Sequence, residues 1–301
     1  MITGAGSGAD GTGELRVERS GPLLLIQDAG RPGQAALGVP ASGALDPVAA
    51  AGANRLVGNP LSSAVLELLL GNAQLRATAP TWLAVTGAAG ALEIQGPGGV
   101  RPAPWSAAFR LDAGEALAVG PAEYGVRYYL AVRGGVGGPA ILGSRSFDTL
   151  SGLGPAPLRD GDTVPIGGGG GRLGPVPPLD ALPASAPPQG EVTLHVLPGP
   201  RLDWFAPAAW DALRARPWTV TAEADRVGVR LDGPPLERVR TDELPSEGVV
   251  TGALQVPPSG LPILFLADHP VTGGYPVVGV VRRADVRLAA QLRPGQAVRF
   301  R

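Results

Sequence analysis

Neither cysteine nor lysine occurs anywhere in the 301 residues. Without Cys the chain has no disulfide, no Cys-ligated zinc, no Fe–S cluster and no thiol nucleophile. Without Lys it has no Walker A lysine, no Schiff-base lysine and no lysine to carry biotin or lipoate covalently. All 25 basic residues are therefore Arg, set against 26 acidic ones for a formal net charge of −1. The two signs are scattered rather than blocked, so there is no electrostatic footprint for nucleic acid or an anionic membrane. Long apolar runs are missing as well: none reaches the ~18 residues of a membrane span. Met1 to Gly13 lacks the basic and apolar regions of a signal peptide, which makes the cytoplasm the expected compartment.

What the chain has in quantity is Gly (46) and Pro (33). Turns are therefore frequent and long helices few. Short apolar runs such as Leu23–Ile26, Trp82–Val85, Tyr128–Val132 and Ile263–Leu266 are bounded by Gly, Pro or Asp. They predict a mainly β architecture of the barrel or sandwich type. Two short helices stand out. Asp46 caps the first, with Pro47 at its first position and Gly58-Asn59 as its stop; the second runs from Pro207 to Arg216. The segment 167–190 is too rich in Gly and Pro for a regular element and reads as a linker. It separates 14–166 from 191–301, and residues 1–13 read as a disordered leader.

Two stretches combine acids, amides, Arg and Gly at the ends of apolar runs, the signature of loops shaped around a small polar ligand: Gln27 to Gly33, and Ser246 to Tyr275. Asp28 and Arg31 either pair with each other or divide the work, Arg31 offering a fork to a carboxylate or phosphate while Asp28 orients it or acts as a base. Glu67, inside Val65–Leu70, is either solvent-facing or a paired, buried carboxylate. Arg226 and Arg230 are four apart and, in a strand, share one face, which suits an anion between them, with a solvated pair as the alternative. His195 reads as a surface residue by alternation, and His269 follows Asp268 at a strand end. Two such histidines make no metal cluster.

Further blocks complete a pattern: Gly38-Val39-Pro40-Ala41-Ser42-Gly43-Ala44-Leu45-Asp46, Ala53-Asn54-Arg55-Leu56-Val57-Gly58-Asn59, Leu142-Gly143-Ser144-Arg145-Ser146, Gly252-Ala253-Leu254-Gln255-Val256-Pro257 and Thr272-Gly273-Gly274-Tyr275-Pro276. In this order the blocks resemble the KipA-like family, also known as allophanate hydrolase subunit 2 or biotin-dependent carboxyltransferase-like proteins, over about Leu15 to Arg301. The resemblance implies two cyclophilin-like β-barrels with a few short helices, 14–166 and 191–301. It implies the C subunit of an ATP-dependent 5-oxoprolinase, opening 5-oxo-L-proline to L-glutamate and inactive alone. The expected partners are a KipI-like B subunit and a LamB/YcsF-like A subunit, and the cofactor is ATP, with or without Mg, at the level of the complex. The alternatives are a biotin-dependent carboxyltransferase subunit for urea or a related small amide, with biotin on another chain, and a non-catalytic KipA-like regulator-binding protein. On the oxoprolinase reading Arg31, Arg226 and Arg230 hold phosphate or carboxylate charge, and Asp28 and Asp268 order a water, proton or metal-bound phosphate. Gln255 and Tyr275 bind the amide, and Gln27, Asn54, Glu67, Arg145, Thr272, Gly273 and Gly274 complete the pocket. The chain departs from the family pattern at Asp225, where an Asn is usual, and at Pro270, where a Gln is usual.

Overall fold

The computed structural model describes residues 13–167 and 186–301. The leader (apart from Gly13) and most of the linker lie outside the described residues. The described chain is mainly β, as expected, and its described residues include three short α-helices.

In the first half, alternation decides which face of each strand is apolar. A six-stranded sheet runs, in spatial order, Thr163–Ile166, Gly13–Arg19, Ala73–Ala77, Ala116–Val119, Leu92–Gly96 and Gly99–Pro102. A five-stranded sheet runs Leu23–Gln27, Val65–Leu69, Tyr124–Val132, Thr81–Ala89 and Ala108–Leu111. Val17, Leu75, Leu117, Leu66, Leu68, Tyr128 and Leu130, drawn from both sheets, bury one common core. The other face of the five-stranded sheet is covered too. Val65, Ala84, Tyr129 and Ala131 pack there beneath α1, Pro47–Leu56. A sheet covered on both sides explains why Val65–Leu69 reads as an unbroken apolar run with a single acid in it. Glu67 shares the outward face with Val65 and lies opposite Leu25 on one neighbour and Tyr129 on the other. Asp46 caps α1 as the sequence indicates, its Oδ1 accepting from Ala49 N–H at 3.0 Å.

In the second half one eight-stranded sheet runs Val192–Leu194, Ala297–Phe300, Trp218–Val220, Gly228–Asp232, Ile263–Phe265, Ala253–Gln255, Val277–Val281 and Val196–Pro198. Its two edge strands are consecutive in sequence, separated only by His195. The chain thus bends from one edge of the sheet to the other, which nearly closes a barrel and leaves little unpaired edge. His195 is half exposed at this seam, and Nδ1 lies 2.8 Å from Asp285 Oδ2. Asp285 belongs to a third helix, Arg283–Ala289, which the sequence pattern does not predict. The second expected helix is present but shorter: α2 spans Ala209–Ala215, and the third helix is α3. Leu45, from the first half, is buried in the core of the second half beside Trp218 and Phe300. The two halves interlock through this side chain as well as through polar contacts.

Candidate functional site

The buried polar side chains are concentrated where the halves meet, and Arg226 is at their centre. It lies in the turn just before strand Gly228–Asp232 and is only 2% exposed. Its Nε donates to Asp268 Oδ2 at 2.8 Å and its Nη2 to Asp268 Oδ1 at 3.0 Å, a bidentate fork. Nη1 donates to Glu67 Oε1 at 2.5 Å across the junction, and Nη2 also reaches Gly43 O at 2.7 Å. Four charge-assisted bonds satisfy the guanidinium in surroundings where a lone charge would be very costly. Burial by itself would lower the Arg226 pKa, but the charges of Glu67 and Asp268 outweigh it and hold the group firmly protonated.

Glu67 also accepts from Leu45 N–H at 3.1 Å, and Arg127 Nε lies 3.5 Å from its Oε1. Arg127, buried on the neighbouring strand, donates to Ala290 O at 2.8 Å and so ties the first half to the end of α3. Asp268 accepts from Ser42 Oγ at 2.7 Å and from Thr149 N–H and Oγ1 at 2.9 and 2.8 Å. Burial tends to raise its pKa, but the Arg226 charge and these hydrogen bonds hold the carboxyl below its ordinary range. A carboxylate lowered in the folded state stabilises above its unfolded pKa of about 3.9 and loses that stabilisation as pH falls through the lower folded value. Unfolding curves between pH 7 and pH 2 are therefore expected to be flatter below about pH 4 for Asp268→Asn than for the parent. Parallel curves would show that Asp268 carries no acid-dependent stability.

A second group adjoins the first. Asp28 Oδ1 accepts from Gly30 N–H, Ser144 Oγ and Ser146 Oγ at 2.8, 2.5 and 2.7 Å, and Oδ2 from Arg145 N–H at 2.6 Å. Four donors on one carboxylate make it a staple between the 28–31 and 144–146 loops. For the base role expected of Asp28 this leaves one unused acceptor direction, on Oδ2, and the alternative of an Asp28–Arg31 pair is not observed. Arg31, 2% exposed, donates instead to the carbonyls of Ser146 and Ile141. Gly30 at φ 80° is required here, since a Cβ would sit 2.4 Å from Ala41 O. Gln27 is fully buried and its Nε2 donates to Phe147 O at 2.8 Å, the same carbonyl that Ser42 Oγ approaches at 3.3 Å. Through Ser42 and the Ser146–Phe147 backbone the two groups form one connected polar network from Asp28 to Arg127. Within it Gln27 Oε1 and Arg31 Nη1 are buried without a partner, one an acceptor and the other a cationic donor.

Other expected site residues are placed elsewhere. Arg230 does not share a face with Arg226: it is exposed and 3.3 Å from Glu223 Oε2. The period-two argument fails because the strand begins only at Gly228, after a turn in which Asp225 Oδ1 accepts from Val227 and Gly228 N–H. Asn54 braces the end of α1, donating to Ser63 O at 2.7 Å and accepting from Asn59. Arg145 donates from Nε to Gly138 O at 3.0 Å. Gln255, Thr272, Gly273, Gly274 and Tyr275 form a separate cluster around the Thr272–Gly273 and Glu247–Gly248 strand pair. There Gln255 Nε2 donates to Tyr275 O at 3.0 Å, while the Tyr275 ring is exposed. His269 stacks on Phe265, its ring nitrogen 2.7 Å from Pro270 O, and burial lowers its pKa so that it is neutral near pH 7. Sequence reasoning missed the hydroxyls of Ser42, Ser144, Ser146 and Thr149 and the cation of Arg127. The alternation Ser144-Arg145-Ser146, which puts two hydroxyls on one side, was the available signal. Among the described residues no group of three or more His, Cys, Asp or Glu is arranged to hold a metal.

Fold and site together define a protein of two interlocked β units whose polar site is built at their junction. The chain belongs to the carboxyltransferase domain, subdomain A and B, family, whose model matches residues 37–301. It is 34% identical to the 5-oxoprolinase C subunit of Escherichia coli K12 over 293 residues, covering 95% of this chain and 90% of that protein. Among solved structures it matches TTHA0988 with TM-score 0.84 and 37% identity, over 96% of this chain but 55% of the other. It matches the Kluyveromyces lactis urea carboxylase with TM-score 0.86 and 27% identity, over 98% of this chain and 28% of the other. The chain thus spans most of the E. coli protein but about half, or less, of the solved ones.

Proposed function

We propose that this chain is the C subunit of an ATP-dependent 5-oxoprolinase, opening 5-oxo-L-proline to L-glutamate together with its A and B subunits. The observation that carries the reading is the two-way coverage of the E. coli C subunit, 95% of this chain and 90% of that one. The site chemistry agrees with it. A lactam offers one N–H donor, one carbonyl acceptor and a carboxylate, and Gln27 Oε1 and Arg31 Nη1 are the complementary acceptor and cationic donor. Asp28 fixes the loop that presents both. Asp268, held ionised by Arg226, is a fixed negative charge rather than a proton carrier near neutral pH, and neutral His269 beside it is the group whose ring nitrogen can accept a proton. Access of a substrate to Gln27 and Arg31 requires the 141–147 loop to shift, which fits a chain that works only when its partners are docked.

The test is release of ADP and glutamate from 5-oxoproline and ATP by the chain alone and mixed with the A and B subunits of its own source. Turnover is expected only in the complete mixture, and Arg31→Ala is expected to lower it about 100-fold or more, the scale of losing a charge-assisted contact to the reacting group. A well-folded three-component mixture with no turnover would remove the reading. The biotin-dependent carboxyltransferase reading is favoured by the 0.86 TM-score match to a urea carboxylase. It needs a biotin carried on another chain, because this one has no Lys. Transfer of the carboxyl group to urea on adding a carrier that bears carboxybiotin, with free biotin left on the carrier, would support it.

A further inference from the structure

Charge is missing from three loops whose bases are held together by the polar network. Residues 32–45, 134–144 and 149–158 contain no Asp, Glu or Arg, in a chain of which 17% is charged. Arg31 N–H donates to Ala41 O at 2.7 Å, and its guanidinium donates to the carbonyls of Ile141 and Ser146. Ser42 Oγ and Thr149 Oγ1 both donate to the one Asp268 carboxylate, at 2.7 and 2.8 Å. Away from these bases the loops turn apolar side chains to solvent: Leu37, Leu142 and Leu150 are all exposed. Apolar surface without charge is what the centre of a protein–protein interface looks like before its partner arrives.

Leu142 is also strained. Ile141 and Ser144 exchange both backbone hydrogen bonds, N to O at 2.8 and 3.2 Å, so Leu142-Gly143 is a two-residue hairpin turn. Its residues have φ 52° and 81°. Left-handed backbone at both positions is the turn that favours Asn-Gly, because Asn tolerates the angle far better than Leu. The chain thus keeps a strained, 46% exposed Leu where a relaxed and soluble Asn would serve the turn. Strained positions cluster at clamps and switch regions, and the two carbonyls that hold the Arg31 guanidinium flank this turn.

We infer that these three loop tips are the docking surface for a partner subunit that presents an uncharged apolar pocket, with Leu142 as the anchor seated in it. The inference rests on the subunit reading above and names the face on which that reading operates. Three observations select this occupant. An anionic membrane needs basic flanks, and these loops contain no Arg. A second copy docked by two-fold symmetry would set the same loops of both chains against each other and close the same site twice. The solved relatives join this fold to further protein in one chain, since it covers 55% of TTHA0988 and 28% of the Kluyveromyces lactis urea carboxylase. The surface includes the loop that must shift to open Arg31, so a subunit seated there acts directly on access to the site.

The test is calorimetric titration of the full chain with its purified A and B subunits, separately and together, with turnover of the complete mixture followed in parallel. Leu142→Asn is expected to raise the melting temperature of the free chain, because it suits the turn, and yet to weaken association with one of the two subunits about tenfold or more. Its turnover is expected to fall when that subunit is limiting and to recover when it is saturating. Leu37→Ser, at the tip of another loop, is expected to weaken the same subunit. Val100→Ser is expected to change nothing. Val100 is also exposed, but its strand Gly99–Pro102 is at the opposite edge of the six-stranded sheet from Thr163–Ile166, the strand that Val136 bridges. Parental affinity in Leu142→Asn or Leu37→Ser, or an equal loss in Val100→Ser, overturns the inference while an active parent mixture keeps the subunit reading. A homodimer of the chain alone, or adsorption to phosphatidylcholine vesicles, that Leu142→Asn abolishes while subunit binding is unchanged overturns it as well and names the other occupant. Neither complex nor turnover with the parent chain removes both readings.

Discussion

Arg226→Ala is expected to destabilise the chain by about 3–5 kcal/mol, the scale of removing one partner from a buried ion pair. The large cost arises from what is left behind. Asp268 and Glu67, 0% and 3% exposed, would lose the cation they share, with Arg127, 3.5 Å from Glu67, the nearest one left among the described contacts. Four hydrogen bonds would be lost at once, including the one to Gly43 O that anchors the entry to α1. Arg226→Lys is expected to recover only part of the loss, because an ammonium cannot form the fork to Asp268 while also reaching Glu67. The decisive comparison is the triple variant Arg226→Met, Asp268→Asn, Glu67→Gln. It leaves Arg127 as the one buried charge without its carboxylate, in place of the two carboxylates stranded by Arg226→Ala, and so is expected to be closer to the parent than Arg226→Ala, as a strongly coupled network requires. Denaturant midpoints of the set measure this, and additive losses would show that the three side chains act independently.

The same cluster shows why the site is only partly legible in the sequence. Local signals hold: Asp46-Pro47 opens a helix, and the apolar runs 23–26, 82–85, 128–132 and 263–266 lie in or largely in strands. The anomaly of Glu67 is visible too, since an acid within an apolar run must be paired or solvated, and it is paired. Its partner is 159 residues away, and no spacing rule reports a contact at that separation. Arg226 is wrongly grouped with Arg230 when alternation is applied two residues before the strand starts. The helix α3 escapes notice because it has seven residues and no side-chain cap. Periodicity and capping are local, whereas a site at the junction of two halves is assembled from turns, where neither operates.

The loops that frame this junction combine a rigid root with an exposed tip. Arg31 N–H donates to Ala41 O at 2.7 Å, closing the excursion, while Leu37 at its far end is 70% exposed. Between them no residue carries a charge. Whatever meets this tip therefore meets it without electrostatic steering, and the geometry of the site depends on how firmly the root is held.

Asp28→Asn tests that root and separates holding from catalysis. The substitution is nearly isosteric, yet an amide must turn its NH₂ toward one side of a group now surrounded by donors. Oδ1 serves three of them, so the amide nitrogen is expected to face Arg145 N–H, replacing a 2.6 Å charge-assisted bond with a donor–donor contact. The expected loss is about 2–3 kcal/mol, the upper range for a hydrogen bond to a charged group plus the unsatisfied backbone N–H. Arg31 donates to Ser146 O, and Asp28 holds Ser146 Oγ, so the same change frees the loop that fixes Arg31. Turnover of the reconstituted three-component mixture is therefore expected to fall more than tenfold even at a temperature where the variant is fully folded, because sub-ångström placement is what the staple provides. A base role for Asp28 predicts a different signature: the residual activity would rise with pH as another base or hydroxide took over the proton, whereas a positioning role leaves the shape of the pH profile unchanged. An unaltered profile with reduced amplitude assigns Asp28 to the scaffold, and a profile that climbs with pH assigns it to the chemistry.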